Sequence, residues 1–149
     1  MKTTMKPEKY SWNEKDFDEM GWHDNRVHVM IFEKDFVLSF SIDYIYQWEK
    51  KLQGYWVAPA KLSFQNVSSL IIAISFQDMV DLIIEDISIS NRRNTPNGVL
   101  LENEYLVKTN VGEIVFFSTG FEMELQQDPE FSQYQDLKTQ RSALKIISK

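Results

Sequence analysis

The stretch that most constrains this chain is Phe36 to Trp48, FVLSFSIDYIYQW. Phe36, Leu38, Phe40, Ile42, Tyr44, Tyr46 and Trp48 share one parity, while Ser39, Ser41, Asp43 and Gln47 fall on the other. Apolar residues at every second position describe a strand with one buried face, and they do not fit the longer repeat of an amphipathic helix. Val27 to Glu33 alternates too. Folding the two segments about Lys34-Asp35 as an even-length loop sets Val27, Val29 and Ile31 opposite Ile42, Phe40 and Leu38. The same register places Arg26 across from Asp43 on the outer face, a favourable opposite-charge pair.

The rest of the chain reads as more strands joined by short links. Asn13 is positioned to cap a short helix from Glu14 to about Met20, with acidic residues at its N-terminal end and Gly21 placed to end it. In Tyr55 to Val67 the second half alternates, and Pro59, which lacks an N–H, pushes the first half to an edge or a bend. Leu70 to Phe76, LIIAISF, is apolar on both parities and suggests a strand covered on both faces. Leu82 and Ile84 are even while Ile87 and Ile89 are odd, so a one-residue bulge at Glu85-Asp86 is predicted to return all four to one face. Asn91 to Gly98, NRRNTPNG, has the chemistry of an exposed loop. Tyr105 to Lys108 and Glu113 to Phe117 form a second hairpin, with Val107 facing Ile114, Tyr105 facing Phe116 and Lys108 facing Glu113. Phe121 to Gln126 is a last alternating strand.

The expectation is a mostly β chain: an antiparallel β-sandwich or open barrel of about eight strands with one short N-terminal helix. Its 149 residues suit a single β-rich domain. Residues 1–12 and 130–149 are expected to be loose, with Leu144, Ile146 and Ile147 able to dock as a short strand or helix.

Charge and composition narrow the function classes. Sixteen basic residues against 22 acidic ones leave a net charge of −6, and no basic stripe is present to neutralise a phosphate backbone, which argues against nucleic acid. The absence of cysteine excludes disulfides and thiolate metal sites. The first twenty residues lack the apolar core of a signal peptide, and no apolar run approaches the ~20 residues of a membrane helix, so a cytoplasmic location without membrane contact is expected.

Three groups of residues invite a functional reading. His23 and Asp24 form an imidazole–carboxylate neighbour pair, the starting point for acid–base chemistry with help from Asp43 or Glu33. The competing structural reading is preferred, because adjacent residues on an extended chain point to opposite sides. His23 and His28 are five apart, face opposite sides of a strand and do not make a metal site, so no metal or cofactor is expected. Tyr44, Tyr46, Trp48, Tyr55 and Trp56 are candidates to line a sugar or peptide groove, against the simpler reading that they pack beneath a sheet end. Glu85, Asp86, Glu122 and Glu124 lie on outward positions or at the predicted bulge, where they suit a basic protein partner.

The string D-F-x-x-M-x-W-H-D-x-x-V-H from Asp16 to His28, I-D-Y-I-x-x-W from Ile42 to Trp48, and W-V-A-P-A-x-L-x-F-x-N-V from Trp56 to Val67 resembles a family of small uncharacterised bacterial proteins. The resemblance spans the first half of the chain. It implies a bacterial cytoplasmic protein of compact β-rich build and carries no reaction with it. The leading expectation is therefore a non-enzymatic binding or interaction protein, comparable as a class to toxin-neutralising immunity proteins. A small enzyme using His23 and Asp24, and a small-ligand module using the aromatics, are the alternatives.

Overall fold

In the computed structural model, residues 3–137 are described. They form β1 (Ser11–Asn13), a 3₁₀ helix (Glu14–Glu19), β2 (Asn25–Glu33), β3 (Val37–Glu49), β4 (Gly54–Gln65), β5 (Ser68–Ile74), β6 (Leu82–Asn94), β7 (Leu101–Thr109), β8 (Gly112–Ser118), β9 (Gly120–Leu125) and β10 (Glu130–Ser132). All pairings are antiparallel, in the order β1-β9-β4-β3-β2-β6-β7-β8-β5, and β10 pairs with the remaining length of β4. The sheet stays open, with β1 and β5 at its ends. It also doubles over. Phe64 of β4 lies 5.0 Å from Tyr105 of β7 and 4.8 Å from Phe116 of β8, ring to ring, although these strands are far apart in the order. The two halves therefore face each other as layers, and the core is the space between them. The two strands beyond the eight expected are the three-residue β1 and β10.

The Phe36–Trp48 stretch supplies the middle of this core. Leu38, Phe40, Ile42 and Tyr44 are buried, and β3 pairs on both sides, with β2 and with β4. The expected β2–β3 register holds at its open end, Arg26 opposite Asp43 and Val27 opposite Ile42, then slips by one residue between Val27 and Val29. Met30, not Val29, ends up opposite Phe40. The reason is the loop: Lys34, Asp35 and Phe36 form an odd-length connection with Asp35 and Phe36 at φ 65° and 61°, and a bulge at His28 restores the faces. Phe36 consequently sits outside the core, 65% exposed. A second irregularity at Tyr46 turns Trp48 outward as well.

Other expectations fare unevenly. The predicted bulge is present between Ile84 and Asp86, burying Ile84 and Ile87, and the β7–β8 register matches at every expected pair. Pro59 lies in the centre of the sheet instead of at an edge. Its carbonyl accepts from Gln126 on the side where β9 gives way to β10, so its missing N–H falls in that gap and costs no ladder bond with β3. The first helix is 3₁₀, capped by Asn13 with a reciprocal Asp16 bond, and it ends at an extended Met20 without a left-handed Gly21. Of the expected loop NRRNTPNG, the first four residues extend β6, and the turn shrinks to Thr95–Leu100. Leu70 to Phe76 is not covered on both faces: Ile71, Ile72 and Phe76 are exposed, and β5 is the terminal strand.

The segment before Asn13 is tied down, not loose. Thr4 bridges to Glu130, Met5 donates to the Pro129 carbonyl, Trp12 is buried and β1 pairs with β9. Likewise 130–137 is held by β10 and by the fully buried Leu137. The expectation for Leu144, Ile146 and Ile147 lies outside the described residues.

Candidate interaction surfaces

His23 and Asp24 do touch, at 3.2 Å between Nε2 and Oδ2. The opposite-sides argument fails because Asp24 adopts φ 65°, which turns the chain and brings the two side chains to one side. The pair is nevertheless poorly placed for catalysis. The His23 side chain is 76% exposed, and its Nδ1 faces the Glu85 carbonyl at 3.0 Å. Both ring nitrogens thus face oxygen acceptors, and the Asp24 oxygen also accepts from Gln135 at 2.7 Å. The contacts tie the β2 approach to β6 and to the 130–137 segment.

The buried imidazole–carboxylate pair is a different one. His28 Nε2 lies 2.8 Å from Asp43 Oδ2, and the same oxygen accepts from the Leu137 backbone N–H at 3.2 Å. Asp43 is fully buried beneath residues 130–137. Arg26, expected to pair with Asp43, reaches Asp81 at 3.0 Å and Asp136 at 3.7 Å instead. Sequence spacing could not reveal this pairing, because it depends on the bulge that moves His28. Glu33, the other candidate acid, is held by Ser39 and by Lys61 at 3.4 Å. Among the described residues no cluster of three or more metal-ligating side chains occurs.

The aromatic candidates do not form one groove. Tyr44 belongs to the core, 5.8 Å from Trp12 and 6.2 Å from Trp22, its hydroxyl accepting from Gly21 N–H and its ionisation pushed up by burial. Tyr46 is half-buried beside Trp12 and accepts from Glu8 N–H. Trp56 meets Phe131 edge-on and donates to Glu49. Only Trp48, opposite Tyr55, stands in solvent.

The acidic candidates separate into two places. Glu85 and Asp86 sit exposed at the β6 bulge, while Glu122 and Glu124 project from β9, and β4, β3 and β2 lie between. The β9 pair continues into a larger acidic end. Asn13 is opposite Glu122, the 3₁₀ helix follows at once, and the Glu14 carboxylate rests on Gly120, where any side chain would collide with it. Lys9 neutralises Asp16 and Glu19, both at 3.2 Å. Glu14, Asp18, Glu122 and Glu124 have no ion pair among the described residues.

Two surfaces had no signal in residue order. The first is a cleft of about 410 Å³ at the end of the sandwich, walled by Phe36, Asn66, Ser68, Leu100, Glu102 and Thr119. It forms where both crossings between layers meet: Val67 N–H donates to Phe36 O, and Thr119 N–H to Gln65 O. Phe36, Asn66 and the neighbouring Ser69 all hold left-handed φ values, 61°, 51° and 52°, a concentration of non-glycine strain of the kind that marks functional sites. Glu102 is buried in its wall, with Oε2 2.8 Å from Arg93 Nε, and Arg93 lies over the Phe117 ring at 3.4 Å. The Ser68 hydroxyl is buried with no hydrogen-bond partner among the described residues. The second surface is the β5 edge, where Ile71 is 64% and Ile72 47% exposed, followed by exposed Phe76, Met79 and Val80.

No family model, curated protein or solved structure matches the chain. Among the described residues no helix is long and apolar enough to cross a membrane.

Proposed function

We propose that this chain is a non-enzymatic binding protein that covers the surface of a basic protein, in the manner of immunity-type inhibitors, within a bacterial cytoplasm. The observation that supports the reading is the acidic end built by β1, the 3₁₀ helix and β9. Glu14, Asp18, Glu122 and Glu124 form no ion pair there among the described residues, and they outnumber the cations beside them, Lys15 after Glu14 and Lys61 opposite Glu124. Such a field speeds encounter with a positively charged partner and repels nucleic acid and anionic lipid. The tethering of both ring nitrogens of His23 weighs against the enzyme alternative.

The test is affinity capture from the native host at low salt and again at physiological salt, where screening at ~8 Å weakens long-range steering. The expected result is a basic partner whose association falls with salt and is lost in Glu122→Lys/Glu124→Lys. A partner indifferent to both treatments would sink the proposal. A second reading, a small polar ligand in the end cleft, is favoured by the unpartnered Ser68 hydroxyl beside buried Glu102 and an exposed aromatic, Phe36. Its check is a melting-temperature screen against hydroxyl-rich compounds, with Ser68→Val abolishing any shift.

A further inference from the structure

The two ends of the sheet are treated differently. β1, at one end, offers three residues with exposed polar Ser11 and Asn13, a short edge of the kind that resists adding another strand. β5, at the other, offers seven residues and, apart from a bulge near Ser69, none of the usual protections. From Val67 to Gln77 there is no charge and no proline. A bulge interrupts its pairing only near Ser69, leaving Ile71 to Ile74 as a straight, apolar rim with side chains exposed on both faces.

We infer that β5 is the contact strand of a homodimer, in which a second copy of this chain adds its own β5 antiparallel across a two-fold axis at Ile72. Three observations select this occupant. The first is the hydrogen-bonding parity. Ser75 donates inward to Val111 at 3.0 Å, so alternation turns the N–H and C=O of Ile72 and Ile74 to the free edge. An axis at Ile72 pairs Ile72 with its own copy and sets Ile74 opposite the copy's Leu70, at the margin of the bulge. The second is side-chain matching. The same axis sets Ile71 beside the copy's Ala73, so apolar meets apolar on both faces, and a chain of net charge −6 meets itself along a stretch without charge. The third is the polarity of the ends. Arg93, whose charge is met by Glu102 at 2.8 Å, reaches Ser69 at 3.5 Å at the start of β5 and is preceded on β6 by exposed Arg92, whereas exposed Asp78 follows the end of β5. Antiparallel pairing brings the arginine end of each copy against the aspartate end of the other, so the contact is complementary to itself.

Seven residues of edge are less than a standard interface of ~1,600 Å² provides, so the dimer is expected to be reversible. The dimer uses a strand other than those that carry the acidic end and stands independently of the function proposed above.

Sedimentation equilibrium of the full chain tests it. The mass should double as concentration rises from micromolar towards millimolar, and Ile72→Lys, at an exposed position, should weaken association by more than about tenfold with an unchanged circular dichroism spectrum. Asp78→Arg, which touches no core residue, should weaken it less, and adding Arg92→Asp should restore it. A chain that stays monomeric throughout overturns the inference. So does a dimer unmoved by both Ile72→Lys and Asp78→Arg, because its contact would lie elsewhere.

Discussion

β3 and β5 are both apolar runs that the residue pattern marks as buried, yet one is the middle of the molecule and the other its rim. In β3, Leu38, Phe40 and Ile42 are enclosed, with β2 and β4 bonding both sides of the backbone. In β5, Ile71 and Ile72 are exposed, and among the described residues only β8 bonds the backbone. Hydrophobicity reports that a strand seeks cover; the order of strands decides whether the same chain supplies it. A rim that apolar residues leave uncovered is a candidate for cover by a second chain.

The sharpest measurement of this contrast is the same truncation made in each strand. Phe40→Ala removes an enclosed ring from between the layers and is expected to cost ~3–5 kcal/mol in denaturant unfolding. Ile71→Ala, in dilute monomeric protein, should cost under ~1 kcal/mol, since most of its surface is already in water. Equal losses would break the comparison. Amide exchange offers an independent view under the same dilute conditions: β3 amides should open only with global unfolding, while those of Ile72 and Ile74 should exchange quickly.

The far layer contributes a pH signature. Burial, reinforced by the Glu14 carboxylate, pushes the Tyr105 hydroxyl up to about 12, above its ordinary value of 10.0. Because the folded value is the higher one, this group's contribution is fully present below pH ~10 and is lost as pH rises towards about 12. Stability should fall across that window, and Tyr105→Phe should flatten the fall. At neutral pH the same substitution should be close to neutral or slightly stabilising, because the buried hydroxyl has no hydrogen-bond partner among the described residues. The smallest effect is expected for His23→Ala, under ~0.5 kcal/mol, given its exposed ring. A large loss there would mean that the bond to Glu85 anchors β2 more firmly than its exposure implies.

Much of the fold was legible in residue order wherever the argument was local. Alternation located β3, β8 and β9, the parity change at Glu85-Asp86 located a bulge, and Asn13 announced the first helical turn. The candidate site was less legible. Glu122 and Glu124 were identifiable as outward-facing, but their continuity with Glu14 and Asp18 follows from β1 pairing with β9, more than a hundred residues later in the chain. The cleft walls come from four separated segments.

What the sequence by itself determined is the set of elements: strand parities, the β7–β8 register and the capped turn, all fixed by neighbours a few residues away. What only the tertiary structure decided is where each element stands. The three-residue loop at Lys34 to Phe36 and its compensating bulge put His28 on Asp43, and the gap between β9 and β10 made room for Pro59 at the centre. Strand order left Leu70 to Phe76 at the edge. Those outcomes depend on backbone partners distant in sequence, and side-chain periodicity carries no information about which strand will be the last to find one.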